Sequence, residues 1–209
     1  MKVIRAKQMG MCFGVRDALV QVEKLAQEGE TAVLGALVHN PVLREQLREA
    51  GVHELDPEQE QRARPERVHV ITAHGVSEKQ RMQWKLQGLR LHDTTCPLVH
   101  RAHVRLAELV GQGLHPVVIG TRTHVEVRGL IGDYPEVTVI GGEEDLGDLP
   151  EKVDLGVIAQ TTQPLEQVLK LLEKIRARAG GRRWCFATPC VNRPKIARRP
   201  CAIFVGRRT

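Results

Sequence analysis

The sequence predicts an α/β protein built from small, repeated parallel-sheet domains. Short apolar segments of strand length alternate with longer segments in which apolar residues recur at helical spacing. The links between these segments are short, as in parallel sheets whose strands are joined by helices. A boundary near residue 96 divides the chain into parts of similar size. We therefore expect one α/β domain over residues 1–96 and a second over residues 97–190.

The elements follow one another in that alternation. Segments rich in Val and Ile predict strands at 3–6, 31–34, 68–72, 116–120, 137–140 and 156–159. Helical spacing of apolar residues predicts helices over about 15–28, 43–50, 77–87, 98–110 and 165–177. Gly29 and Gly51 stand where the first two of these helices are expected to end.

Composition limits the class of protein. No apolar run approaches the roughly 20 residues that span a bilayer, and the first residues lack the apolar segment of a signal peptide. We therefore expect a cytoplasmic protein with no membrane partner. Five cysteines in such a chain, an odd number, indicate metal binding or catalysis rather than disulfides.

The net charge of +6 belongs to one short segment. Residues 191–209 contain six of the 31 basic side chains and no acidic one, so the first 190 residues contain 25 of each sign. A charge-balanced body with only 3% aromatic residues does not favour nucleic-acid binding. A nucleic-acid-binding module using the basic segment is therefore a weak alternative.

Six polar or thiol side chains lie at or just after the carboxyl ends of expected strands, if the short segment at 91–93 that leads to Cys96 is counted as one. Ligands bind at the carboxyl ends of strands in open α/β sheets, so six such residues point to a site built from several loops. They are Cys12, His39, His74, Cys96, His124 and Thr161.

Cysteine thiolates are soft ligands that select zinc, copper(I) or iron–sulfur clusters. Cys12 and Cys96 lie far apart in the sequence, unlike the paired cysteines of zinc ribbons. Cys12 stands in a glycine-flanked turn directly before an expected helix. The alternative for each is a buried structural cysteine, because cysteine is among the residues most often buried.

The loop histidines and their neighbours have similar pairs of interpretations. His39, His74 and His124 can bind phosphate or relay protons, or can be ordinary solvated loop residues. Glu126 lies two residues beyond His124, on the same side of an expected extended segment, where it is either a proton donor or an exposed glutamate. The Gln-Thr-Thr run at 160–162 either binds a substrate or caps the following helix.

Six short segments carry a resemblance to a known family. They are 10–15 (Gly-Met-Cys-Phe-Gly-Val), 38–40 (Val-His-Asn), 73–77 (Ala-His-Gly-Val-Ser), 93–99 (Asp-Thr-Thr-Cys-Pro-Leu-Val), 124–129 (His-Val-Glu-Val-Arg-Gly) and 160–162 (Gln-Thr-Thr). In their order and spacing they resemble the 4-hydroxy-3-methylbut-2-enyl diphosphate reductase family of the non-mevalonate isoprenoid pathway. The resemblance covers about residues 1–190 and implies similar α/β domains around a central cluster.

The resemblance implies a 4Fe–4S cluster held by three cysteines, with electrons from a donor such as ferredoxin or flavodoxin. Cys12 and Cys96 would be two of the ligands. Cys190, which completes a Thr-x-Cys pattern after an expected short strand, is the third in our interpretation. Cys185 is the alternative, although it requires a shorter preceding loop.

The implied reaction is a two-electron, two-proton reductive dehydroxylation that yields isopentenyl and dimethylallyl diphosphate. The resemblance implies that His39, His74 and His124 bind the diphosphate or its surroundings. Glu126 would deliver the proton with which hydroxide leaves as water, and Thr161 would help to place that group. The alternative function is a non-catalytic iron–sulfur or zinc-binding protein.

The resemblance ends near residue 190. Family members carry a third α/β domain, whereas residues 191–209 form a basic segment that we interpret as an aberrant remnant of it. A truncation or a frame change near residue 193 would explain that segment. We therefore expect an incomplete third domain, poor stability and little or no turnover by the chain as it stands.

Overall fold

A computed structural model describes residues 10–55 and 67–187. The chain divides into two compact units. Unit 1 comprises Met1–Ala73 and Trp84–Cys96, and unit 2 comprises His74–Gln83 and Pro97–Thr209. The strand expected at 3–6 and the third cysteine, Cys190, lie outside the described residues.

The described helices and strands mostly alternate along the chain, as the sequence predicts, with β2 and β3 as the exception within the described residues. The α-helices are α1 (Phe13–Glu28), α2 (Pro41–Glu49), α3 (Glu78–Leu86), α4 (Pro97–Gly111), α5 (Val125–Ile131) and α6 (Leu165–Ala179). The strands are β1 (Thr31–Leu34), β2 (Val52–Leu55), β3 (Val68–Ile71), β4 (Arg90–Asp93), β5 (His115–Ile119), β6 (Thr138–Ile140), β7 (Leu155–Ala159) and β8 (Trp184–Ala187). A short 3₁₀-helix spans Glu144–Asp148.

Unit 1 is built on a four-stranded parallel sheet in the order β2-β1-β3-β4. Strand β1 is buried along its whole length, as a central strand of a parallel sheet should be. Helix α1 buries Ala18, Leu19 and Val22, which recur at helical spacing, against Val33 of β1 and Val70 of β3. This packing fixes the first turn of α1 beside the carboxyl end of the sheet.

Unit 2 repeats that topology in a second parallel sheet, ordered β6-β5-β7-β8. Its helices cover both faces. Val117 and Ile119 of β5 contact the cluster that includes Ile175 of α6, whereas Val118, between them, packs with Leu106 of α4 and with α5. Alternate residues of one strand therefore face opposite helical layers, which makes the strand a continuous apolar run.

The predicted fold class, an α/β protein of small repeated parallel sheets, is confirmed. Helix α5 is where the structure departs from the sequence prediction. The segment containing His124 and Glu126 was expected to be extended, but Glu126 lies in the first turn of a helix and His124 caps it. The segment Val125–Ile131 contains two β-branched valines and a glycine, so local propensity is weak, and burial of Val127 and Leu130 stabilises the helix.

Among residues 10–55 and 67–187, no helix combines the length and the apolar character that crossing a membrane requires.

Candidate functional site

Cys12 lies at the start of α1. It occupies the N-cap position with extended backbone (φ −62°, ψ 160°), and its carbonyl accepts a hydrogen bond from Arg16 N at 3.1 Å. Its side chain is exposed and, within the described residues, makes no capping hydrogen bond. The thiol therefore lies at the amino end of the helix without capping it.

Cys96 is held at the same end of α1 by the carboxyl end of the unit 1 sheet. Its N–H donates to Ala73 O at 3.0 Å, and the neighbouring Thr94 donates through N–H and Oγ1 to Ile71 O at 3.1 and 2.6 Å. A methyl group added to Gly14, the second residue of α1, would lie 2.6 Å from the Cys96 Sγ. Two thiols thus meet the first turn of one helix, and Gly14 leaves room for the second.

The thiols of Cys12 and Cys96 are the kind of ligand that a soft metal centre takes, but two ligands are fewer than such a centre needs. Two thiolate sulfurs at one helix end are ligands of the kind that iron–sulfur clusters and zinc accept. Within residues 10–55 and 67–187, however, no group of three His, Cys, Asp or Glu side chains could hold a metal ion. A cluster or zinc ion held by protein ligands alone would need further ligands beside these two thiols.

Cys185, the alternative third ligand, lies inside the core of unit 2. It is 1% exposed on β8 and packs with Leu109 and Leu114. A cysteine in such surroundings behaves as a small apolar side chain.

His39, the remaining sequence-predicted residue of unit 1, is exposed in the loop between β1 and α2. The next residue, Asn40, caps α2 by accepting from Val42 N at 2.9 Å and Leu43 N at 3.2 Å. The loop is therefore anchored one residue beyond the imidazole, which stays open to a ligand.

In unit 2, the rings of His74 and His124 meet edge to face, with their centroids 5.6 Å apart and an interplanar angle of 88°. The Nδ1 of His124 accepts a hydrogen bond from Glu126 N at 3.1 Å. That nitrogen is therefore unprotonated, and the Nε2 of a neutral His124 is a donor. An imidazole pair with such an N–H donor is suited to binding an anion.

Glu126 is the second functional group of unit 2. Its side chain is 1% exposed, which rules out the surface glutamate that the sequence left as an alternative. One carboxylate oxygen accepts from Thr161 N at 2.7 Å and the other from Thr161 Oγ1 at 2.8 Å. Burial raises the pKa of this carboxyl above its ordinary value, although the two bonds from Thr161 and the nearby His124 oppose the shift.

The Gln-Thr-Thr run does not cap α6. Pro164 occupies that N-cap position, where no described side chain makes a capping bond. Gln160 instead ties together the ends of two strands: its Oε1 accepts from Thr121 N at 3.1 Å and its Nε2 donates to Thr162 Oγ1 at 2.8 Å. The amide that might have bound a ligand is used to support the backbone beside Thr161.

Gly120 and Gly14 were not singled out from the sequence. A methyl group on Gly120 would lie 2.9 Å from the Gln160 Oε1, so the absence of a side chain there lets the two strand ends approach. For Gly14 a signal was available, because it flanks Cys12 in a turn before a helix. For Gly120 the sequence shows only a glycine after a strand, which is common in any α/β protein.

Comparison with known proteins identifies the family. The chain matches the LytB protein family over residues 3–193. It is 33% identical over 192 residues to the 4-hydroxy-3-methylbut-2-enyl diphosphate reductase of Geotalea uraniireducens (strain Rf4), covering 91% of this chain and 67% of the relative. The protein of the same name from Citrifermentans bemidjiense is 34% identical over 182 residues, with coverages of 86% and 64%.

Solved structures agree. A structure of (E)-4-hydroxy-3-methyl-but-2-enyl diphosphate reductase, the terminal enzyme of the non-mevalonate pathway, matches with a TM-score of 0.78 and 27% identity, over 91% of this chain and 68% of that one. The corresponding reductase from Plasmodium falciparum shares the fold, with a TM-score of 0.76 and 24% identity over 85% of this chain and 57% of that one. This chain spans about two thirds of the length of such relatives. The resemblance found in the six segments is confirmed, and the chain belongs to the LytB protein family, that of the 4-hydroxy-3-methylbut-2-enyl diphosphate reductases.

Proposed function

We propose that this chain has the cluster-binding and substrate-binding residues of an iron–sulfur reductase, the class of enzyme that converts 4-hydroxy-3-methylbut-2-enyl diphosphate to isopentenyl and dimethylallyl diphosphate. The substrate follows from the name that its relatives carry. The observation that carries the proposal is the buried Glu126, whose two oxygens are both held by Thr161. A buried carboxyl with a raised pKa is typical of functional acids, so it favours the reductase over a protein that binds metal only for structure.

The proposed reaction breaks the carbon–oxygen bond of the substrate's hydroxyl group. Two electrons and two protons are consumed: one proton leaves with the hydroxyl as water, and the other is added to the carbon skeleton. Glu126 supplies the first proton, because a carboxyl with a raised pKa retains its proton closer to neutral pH than an exposed one does. Thr161 holds that carboxyl in place and, through its hydroxyl, can pass on a proton.

His39, His74 and His124 bind the diphosphate in this proposal. The edge-to-face pair in unit 2 offers N–H donors to phosphate oxygens. The exposed His39 contributes from the loop of unit 1. Such contacts orient the substrate without taking part in bond breaking.

Three cysteines would hold the 4Fe–4S cluster: Cys12, Cys96 and Cys190. When bound, the cluster supplies the electrons together with an open iron that acts as a Lewis acid toward the hydroxyl oxygen. A soluble donor such as ferredoxin or flavodoxin, in the cytoplasm, would replenish the electrons.

The choice of Cys190 rests on the repeated topology. Strand β4 ends at Asp93 and Cys96 follows three residues later; strand β8 ends at Ala187 and Cys190 follows at the same spacing. These strands hold equivalent edge positions in sheets of identical order. Cys185 has no counterpart of that kind, and its thiol packs in the apolar core.

The test is anaerobic reconstitution of the full chain with iron and sulfide, followed by measurement of both bound elements. We expect the wild type to bind both, and Cys12→Ser, Cys96→Ser and Cys190→Ser each to lose most of them. Cys185→Ser is the matched control and should retain the wild-type content. Binding of zinc without sulfide would favour the non-catalytic alternative, and retention of iron by the Cys96 variant would overturn the proposal.

A further inference from the structure

Helix α3 begins in unit 2 with a cap from a distant part of the chain, the carboxylate of a residue that follows α5. Asp133, just beyond the end of α5, accepts from Glu78 N through Oδ2 and from Lys79 N through Oδ1, both at 2.8 Å. Ser77 Oγ accepts from the next amide, Gln80 N, at 3.1 Å. The first three amides of α3, which have no partner within the helix, are thereby satisfied.

Two glycines bring α5 close to the same segment. A methyl group on Gly129 would lie 3.2 Å from Gly75 O, and one on Gly132 would lie 2.7 Å from Ser77 Cβ. These glycines are three residues apart, so they share one side of the helix. The residues that connect β3 to α3 therefore lie directly against α5.

The two segments in this contact each carry one histidine of the pair. His74 lies four residues before Glu78, at one end of the clamped segment, and His124 is the N-cap of α5. The edge-to-face distance of 5.6 Å between their rings depends on how that segment sits against α5. Gly75, between His74 and Ser77, has a φ of +70°, which favours glycine and lets the chain turn back toward α5.

We propose that Asp133 is a positioning residue for the His74–His124 pair. By fixing the first turn of α3 to the end of α5, it sets the distance and the angle between the two imidazoles. This inference rests on the proposed function, in which the pair binds a diphosphate. Asp133 itself touches neither histidine in this proposal, and it acts through the backbone of residues 75–79.

The unit supplies a matched control in Asp145. Its Oδ2 also accepts two backbone N–H bonds, from Gly141 at 2.7 Å and from Gly142 at 3.1 Å. Loss of either carboxylate removes two bonds to the backbone and should lower thermal stability. Of these two aspartates, Asp133 is the one that caps the segment leading to His74.

The experiment compares Asp133→Ala with Asp145→Ala in the full chain by two measurements. Nitrogen–proton spectra of the histidine rings, with His74 and His124 assigned from His→Gln variants, report the geometry of the pair. Titration with inorganic pyrophosphate reports its affinity. We expect Asp133→Ala to move the signals of both rings and to weaken pyrophosphate on the order of tenfold, as displaced binding groups do. Asp145→Ala should leave both measurements at the wild-type values.

A second pair of variants leaves Asp133 intact. Gly132→Ala pushes on Ser77 and should move the same ring signals, whereas Gly147→Ala, where no described atom lies within 4 Å of the added methyl, should not. Unchanged ring signals in both Asp133→Ala and Gly132→Ala would overturn the inference. If the wild type itself failed to bind pyrophosphate, the diphosphate role of the histidines would be wrong, and the ring signals would still decide the role of Asp133.

Discussion

Units 1 and 2 have the same strand order, yet the residues at equivalent places in their sheets differ in chemistry. Cys12 precedes the helix that leads into β1, and Cys96 precedes the helix that leads into β5. Asn40 caps the helix after β1, whereas His124 caps the helix after β5. The position before the first helix therefore carries a cysteine in both units, whereas the cap of the next helix changes from asparagine to histidine.

The capping residues show how such a change can preserve structure. Asn40 accepts through its Oδ1 from two amides of α2, and His124 accepts through Nδ1 from one amide of α5. Both side chains satisfy an amide at the start of a helix. The histidine in addition has a second ring nitrogen, Nε2, which the cap does not use.

The two units also differ in how their reactive groups meet solvent. In unit 1, Cys12 is exposed and the Cys96 thiol is half-buried over Gly14. In unit 2, Glu126 is fully buried and bound on both oxygens. Thiolates that bind a metal must be reachable by it, whereas a proton donor is tuned by exclusion of water.

Gly14→Ala is expected to have the largest effect on this comparison. The added methyl would lie 2.6 Å from the Cys96 Sγ and 2.8 Å from its Cβ, so rotation of the thiol alone does not relieve the overlap. We expect a loss of about 1–3 kcal/mol in the free energy of unfolding, typical of overpacking, and little bound iron after reconstitution. Urea unfolding and iron analysis provide the measurements.

The control for that variant comes from unit 2. Gly111 is also helical, at the end of α4, and no described atom lies within 4 Å of a methyl added there. Because alanine favours helix over glycine by up to about 1 kcal/mol, Gly111→Ala should be neutral or stabilising. Equal behaviour of the two variants would show that Gly14 is not the place where the Cys96 thiol is accommodated.

Gln160→Ala should have a smaller effect, confined to unit 2. It removes the acceptor of Thr121 N and the donor to Thr162 Oγ1. We expect a loss of about 1–2 kcal/mol, as when hydrogen-bond partners of a partly buried group are deleted. The exposed Gln167, which makes one bond to Gly141 O, is the control, and Gln167→Ala should cost less in the same urea titration. A Gln160 variant as stable as this control would mean that its bonds contribute nothing to joining the strand ends.

Much of the fold followed from local pattern because the inner strands of both sheets, such as β1 and β7, are buried on both sides. The strand predicted at 31–34 coincides with β1, and the helices expected over 98–110 and 165–177 correspond to α4 and α6. Strand β2 (Val52–Leu55) was missed, because its two polar residues lie side by side between two apolar ones and so give no strand alternation to detect. Its place in the sheet is fixed by pairing with β1, which only the fold reveals.

The site was predictable in its residue types but not in its contacts. The motifs located Glu126 and Thr161, yet their hydrogen bonds join residues 35 positions apart. Glu126 is buried because α5 is a helix that packs against Leu106 of α4. The sequence prediction of an extended segment at this place could not show that packing. Asp133 carried no sequence signal at all, since an aspartate after a helix is ordinary until α3 is seen to begin beside it.

Glu126→Gln is expected to have the smallest effect, and it tests whether burial changes the titration of this carboxyl. Burial raises the pKa of the folded carboxyl, so the folded state binds a proton more tightly than the unfolded state does. Its favourable contribution is therefore complete below the ordinary value of about 4.5 and is lost as pH rises through the raised pKa. Glutamine does not titrate, so the variant should lose less stability than the wild type as the pH rises above about 4.5.

The slope of stability against pH is the measurement, because replacing the carboxylate with an amide changes the bonds to Thr161 at every pH. Glu143 gives a control of opposite sign: its hydrogen bonds to Lys170 and Lys174 lower its pKa to about 2, so its contribution is present above about 4.5 and lost in acid. Glu143→Gln should therefore alter the acid side of the urea-unfolding profile and leave the interval above about pH 5 unchanged. A Glu126→Gln profile parallel to that of the wild type over that interval would show that this carboxyl titrates as an exposed one, and the proton-donor role would lose its physical basis.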